Sequence, residues 1–231
     1  MGSFRSTADV LLAVPQFIGY ARAILYIIGF AVIDVPRVGP LEGWQLCLVC
    51  YTIAFVLDVM DGAVARALGQ TSQLGGVLDM VLDRSATAAL LTVLAGAFPA
   101  QRLLFAGLVA LDVGSHWMHV ASCQLRPTRM HHKAKESLET RNIILRWYYG
   151  IYPLFGYCCV GTEVFYILLL ALSYAPTAAL TLAGVTVTLE TFTWYVCFPA
   201  CVIKNIVNVL QLSSATVAIA ELDVQPESKQ E

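Results

Sequence analysis

The chain has 231 residues, 58% of them hydrophobic and only 13% charged, with a formal net charge of -2. A soluble domain carries about 25% charged residues, so this composition excludes an ordinary water-soluble globule and favours a bilayer, which accepts apolar helix surface directly. The charge balance gives no reason to expect a nucleic-acid partner. Cys47, Cys50, Cys123, Cys158, Cys159, Cys197 and Cys201 are an odd number set in apolar stretches, and they read as small hydrophobes rather than a disulfide framework. Cys47-x-x-Cys50 has no second pair at zinc-knuckle distance.

At the start of the chain, Gly2 and Ser6 fit the loose N-myristoylation pattern. A membrane-spanning chain gains little from one acyl chain, so a plain N-terminus is expected; no cleavable signal peptide is visible. Residues 3–13 are expected to form a short interfacial helix. Six stretches are then long and apolar enough to cross a bilayer: 16–34, 43–67, 73–97, 102–124, 150–173 and 180–212. Proline, glycine and polar residues separate them at 34–40, 69–72, 98–99 and 174–176. The one long polar connection, from Leu125 to Trp147, holds Arg126, Arg129, Lys133, Lys135, Arg141 and Arg146, six of the chain's fourteen basic residues. By the positive-inside rule it faces the cytoplasm, and counting back by spans puts the N-terminus and the 68–72 turn on that side too. The expectation is an all-α integral membrane protein, a single domain over 1–231, ending in a polar tail at 221–231.

Charged residues inside spans cost about 2.5–3.5 kcal/mol each on insertion scales. Asp58, Asp61, Asp79 and Asp83 therefore need a reason to be there. The pairs are spaced i,i+3 and i,i+4, so each pair shares a helix face. If the second and third spans double back across their short turn, all four carboxylates can converge at the cytoplasmic end. No group of basic residues within these two helices could neutralise them, whereas two hard divalent cations could, since magnesium, manganese and calcium prefer carboxylate oxygen. Gly62, Ala65 and Gly75 lie close to the aspartates and leave room for a ligand beside the helix backbone; close helix packing is the alternative use of such small residues. Arg66 shares the face of Gly62 and suits a phosphate oxygen. Ser72 can cap the third span, where the helix N-terminus favours an anion.

Asp58-x2-Asp61-Gly62-x2-Ala65-Arg66-x8-Gly75-x3-Asp79-x3-Asp83 matches, without gap or substitution, the signature of the CDP-alcohol phosphatidyltransferases, and the chain resembles that family from about residue 14 to residue 212. The resemblance implies six membrane helices, a homodimer and two metal ions, Mg2+ or Mn2+. It also implies transfer of a phosphatidyl group from a CDP-lipid to an alcohol, with release of CMP. By motif position Asp58, Asp61 and Asp79 would be metal ligands, Asp83 the general base near the second metal, and Gly62, Arg66 and Ser72 contacts of the CDP-lipid.

The signature is silent on the acceptor alcohol. The segments 14–22, 78–87, 111–119 and 145–149 resemble those of the eukaryotic phosphatidylinositol synthases, which implies CDP-diacylglycerol and myo-inositol as substrates and an endoplasmic reticulum membrane location, with the Golgi membrane also compatible. Gln16 departs from the usual Asn, and Tyr152 from a frequent Arg. Asp112, His116 and His119 share one face of the fourth span: they line an inositol pocket, or they form an internal network that locks this helix to the third. His131, His132 and Lys133 are expected to be solvated. Arg22, inside the first span, should face the bundle and meet phosphate. Glu163, Glu190 and Lys204 are also intramembrane and carry no assigned role. Rival readings are the same chemistry on serine or glycerol 3-phosphate, a cation or proton transporter with carboxylates spread across the membrane depth, and a non-catalytic scaffold, against which the intact Asp83 speaks.

Overall fold

The computed structural model describes residues 4–125, 143–182 and 185–224. Gly2, His131, His132, Lys133, most of the basic connection and the tail beyond Val224 lie outside the described residues.

The chain divides into two compact units, residues 1–90 and 91–231. In the first, Ser6 opens α1 (Thr7–Leu11) with a capping box: its hydroxyl accepts from the Asp9 N–H, and the Asp9 carboxylate accepts from the Ser6 N–H. The expected helix over 3–13 is thus a five-residue turn. Pro15 sits in the first turn of α2 (Val14–Val32), where a missing N–H costs nothing.

α2 packs along α3 (Gly43–Ala67). Two glycines allow the contact. A Cβ on Gly29 would come within 3.1 Å of the Cys50 Cβ, and one on Gly43 would collide with the carbonyls of Val32 and Val35. Gly43 instead donates its N–H to the Val35 carbonyl at 3.0 Å. The Tyr26 and Tyr51 rings, 5.0 Å apart, fill the space between the two helices.

α3 ends as a Schellman motif: Gly69 takes a positive φ of 64°, its N–H reaches the Arg66 carbonyl, and the Gln70 N–H reaches the Ala65 carbonyl at 2.8 Å. The chain doubles back over 68–72 into α4 (Gln73–Ala97). Gly19 of α2 lies against α4 there, where an added Cβ would stand 3.1 Å from Leu78 Cδ2.

In the second unit a 3₁₀ turn, Pro99–Gln101, leads into α5 (Arg102–Gln124). α6 (Ile143–Gly150) is followed by α7 (Tyr152–Tyr174), so the expected polar connection is already helical by Ile143. An antiparallel hairpin comes next, β1 (Ala179–Leu182) on β2 (Val185–Thr188), with Thr181 opposite Thr186. α8 (Leu189–Phe192) continues through a π-helical turn, Thr193–Cys197, into α9 (Phe198–Val224), which packs on α5 and α7.

The last expected span is therefore corrected. Ala179–Leu182 and Val185–Thr188 are strands, because Thr181, Val185, Thr186, Val187 and Thr188 are β-branched and favour extended backbone. The helix after them runs to Val224, so the expected tail begins inside it.

Among the described residues, five helical segments are long and apolar enough to cross a membrane: Val14–Val32, Gly43–Ala67, Pro99–Gln124, Tyr152–Tyr174 and Leu189–Val224. With so many apolar helices the chain is a multi-pass membrane protein.

Candidate active site

The site is built on the first unit. α3 presents Asp58 and Asp61 on one face, α4 presents Asp79 and Asp83, and the turn at Gly69 brings the two faces together. What they meet is Arg22 of α2, whose side chain is fully buried, at 0% exposure. Its Nη1 donates to Asp61 Oδ2 at 2.8 Å and to Asp79 Oδ1 at 2.9 Å. Its Nη2 lies 2.5 Å from Asp58 Oδ1 and donates to Asp83 Oδ1 at 2.6 Å. All four aspartates thus close on one guanidinium, at one level of the unit. That geometry is unlike the transporter reading, which needs carboxylates distributed along a path.

The sequence leads one to expect Arg22 in the bundle against phosphate; in the structure its partners are the carboxylates themselves. It neutralises one of four negative charges, and its Nε is buried with no hydrogen-bond partner among the described residues. With Arg84 near Asp83 as well, the carboxylates still outnumber these two guanidiniums. Oxygen atoms of Asp58, Asp61 and Asp79 lie within 4.8 Å of one another, and the three residues form a group that could hold a metal ion. An all-carboxylate donor set suits a hard divalent cation. Asp79 is the most accessible of the four side chains, at 45% exposure, and Asp83 Oδ2 is 3.8 Å from Arg84.

Beside the carboxylates opens a cavity of about 220 Å3, whose lining includes Asp61, Gly62, Arg66, Ser72, Gly75 and Asp79. The expected lipid-contact residues Gly62, Arg66 and Ser72 therefore share a wall with two of the expected metal ligands. At Gly62 an added Cβ would meet only the end of the Arg66 guanidinium, at 3.4 Å, so the absent side chain leaves cavity space. Ser72 Oγ accepts from the Gly75 N–H at 3.0 Å, which is the expected cap of α4.

Gln16 stands out in the sequence only as a departure from a family pattern. In the structure it is 1% exposed, lines the same cavity and donates from Nε2 to Ser72 Oγ at 2.8 Å. A carboxamide in an apolar helix is the signal that could have found it, since a buried amide needs partners.

On α5, Asp112 Oδ1 accepts from Asn208 Nδ2 of α9 at 3.3 Å, which ties this stripe to the last helix of its own unit. His116 Nδ1 lies 2.8 Å from the Asp112 carbonyl, and the Ser115 hydroxyl donates to the same oxygen at 3.1 Å.

Comparison with known proteins bears on what this site does. The fission yeast CDP-diacylglycerol–inositol 3-phosphatidyltransferase is 32% identical, over 94% of this chain and 92% of its own length. The human enzyme of that name is 33% identical over 96% of this chain and 97% of its own, and a probable second enzyme of Arabidopsis thaliana is 33% identical over 97% and 96%. No solved structure matches the chain. The family model for CDP-alcohol phosphatidyltransferases matches residues 12–220, and with these relatives it establishes that the chain belongs to the CDP-alcohol phosphatidyltransferase family.

Proposed function

We propose that the chain transfers the phosphatidyl group of CDP-diacylglycerol to myo-inositol, giving phosphatidylinositol and CMP. The observation that carries this reading is the convergence of Asp58, Asp61, Asp79 and Asp83 on one guanidinium, with Asp61 and Asp79 lining an adjoining cavity, in a chain whose relatives bear that enzyme's name.

Asp58, Asp61 and Asp79, with Asp83 at the second position, would hold two divalent ions, Mg2+ or Mn2+. When bound, such ions polarise a diphosphate and offset the charge that develops on departing CMP. The chain's own residues do the rest. Gly62 leaves room for the nucleotide diphosphate, Arg66 presents a planar pair of donors to its oxygens, and Ser72 fixes the start of α4, whose free N–H groups favour an anion. Asp83 accepts the proton of the attacking inositol hydroxyl as the bond to phosphorus forms, and the bond from phosphorus to the CMP oxygen breaks. Holding both reactants beside one another supplies much of the rate.

The same reading gives α4 a place as a sixth crossing: its 25 residues extend about 37 Å at 1.5 Å per residue. The carboxylates then face the cytoplasm, the side of the basic connection that includes Arg146. The enzyme would work as a homodimer in the endoplasmic reticulum or Golgi membrane.

The experiment is CMP release by the purified protein with CDP-diacylglycerol and one acceptor at a time. Release that depends on myo-inositol supports the reading. Release equal with serine or glycerol 3-phosphate in its place would overturn the assignment of acceptor.

A further inference from the structure

We infer that Arg22 is a built-in competitor of the metal ions: a positioning residue that holds the four carboxylates in register, limits how tightly divalent cations bind among them, and leaves the loaded site positive toward the diphosphate. This rests on the two-ion reading of the site.

The two terminal nitrogens of one guanidinium contact all four carboxylates at 2.5–2.9 Å, by hydrogen bonds to Asp61, Asp79 and Asp83 and by an ion pair with Asp58. A group so placed does two opposed things. It draws the carboxylates into the spacing a metal needs, with oxygens of three of them within 4.8 Å. It also occupies those oxygens and repels any other cation brought to the same spot, because like charges at such distances interact strongly away from bulk water. Each carboxylate keeps a second oxygen. Ions entering there must share the site with the guanidinium or push it aside.

Four carboxylates against Arg22 leave three negative charges, or two when Arg84 beside Asp83 is counted, and these would repel a diphosphate. Two divalent ions reverse the sign. Arg22 makes the loaded site one charge more positive than it would otherwise be. Arg22 therefore weakens ion binding and strengthens the binding of the anion that comes after the ions. Its Nε–H, buried and unpartnered among the described residues, adds a donor that no carboxylate uses. A side chain that only held helices together would change both affinities in the same direction. This one changes them in opposite directions.

The test uses full-length protein in detergent micelles, prepared in Mn2+. Wild type, Arg22→Met and Arg22→Lys are titrated with a calibrated chelator, and bound Mn2+ is followed by electron paramagnetic resonance. CMP binding is measured on each protein saturated with Mn2+. Arg22→Met is expected to hold Mn2+ about tenfold or more tightly than wild type and to bind CMP about tenfold or more weakly. Arg22→Lys, which keeps the charge without a fork that reaches four carboxylates, is expected to hold Mn2+ more tightly than wild type with a smaller loss of CMP affinity. Each variant starts loaded and ion loss is read over the first part of the titration, before ion-free protein accumulates, so collapse of ion-free Arg22→Met does not obscure the reading, and Arg22→Lys decides the matter where Arg22→Met does not fold. Unchanged or weaker Mn2+ binding in the variants overturns the inference. Failure of wild type to bind Mn2+ at all removes the two-ion reading itself, and this inference with it.

Discussion

Gln16 Nε2 donates a 2.8 Å hydrogen bond to Ser72 Oγ, tying the start of α2 to the first turn of α4 at the wall of the candidate site. Ser72 thus serves two donors at once, the Gly75 N–H and the Gln16 amide. Ser72→Ala should lower stability by about 1 kcal/mol through the lost cap, with more added because the buried Gln16 amide loses its acceptor. Ser72→Thr should keep most of both. Thermal unfolding of the two variants separates these outcomes, and equal melting of wild type and Ser72→Ala would show that the cap contributes nothing.

Withdrawal of divalent ions should abolish turnover, because a net negative cluster of carboxylates would then stand beside the diphosphate. Adding Mg2+ or Mn2+ back should restore it. The check is CMP release in excess chelator, where undiminished activity would contradict the two-ion site.

Asp83→Asn keeps the shape of the side chain and removes the proposed base. It should cut kcat by about 100-fold or more while CDP-lipid binding stays close to normal. Asp58→Asn should instead weaken metal and nucleotide binding together, since Asp58 belongs to the group that could hold a metal. Single-turnover rates beside nucleotide binding distinguish the two, and near-normal turnover by Asp83→Asn would remove its assignment as base.

Arg66 and Gly62 stand four residues apart on the cavity wall. Arg66→Lys retains charge but loses the planar fork, and Gly62→Leu puts a side chain into the open space. Both should raise KM for CDP-diacylglycerol by about tenfold, equivalent to ~1.4 kcal/mol of binding, with a much smaller effect on KM for inositol. An effect mainly on inositol would mean that the lipid lies elsewhere.

The helix bounds 43–67, 73–97 and 102–124 were legible in the sequence to the residue, because Gly69, Ser72 and Pro99 interrupt apolar runs with specific local chemistry. The strands at 179–182 and 185–188 were not. Hydropathy alone does not separate a short apolar hairpin from the end of a helix, and only the β-branched run pointed the other way. The convergence of the four aspartates followed from their spacing across a short turn. The hub at their centre did not, because which face of α2 Arg22 presents is fixed by packing at Gly29 and Gly19, positions whose role is invisible until the neighbouring helices are in place. Asp112 was legible as a buried polar group, but its partner Asn208 lies 96 residues away, and no local pattern links them.

The order of the charged residues along the chain bears on how the protein is made. Arg22 comes first, and Asp61 and Asp83 come 39 and 61 residues after it. In a nascent chain threaded into the membrane from its N-terminus, the cation is therefore delivered before any of the anions. Each carboxylate, at about 2.5–3.5 kcal/mol for entering a helix centre, arrives to find a counter-charge already waiting. Arg22 and all four carboxylates are in hand once the third long helix is complete at Ala97, so the cluster can assemble while more than half of the polypeptide still lies behind it.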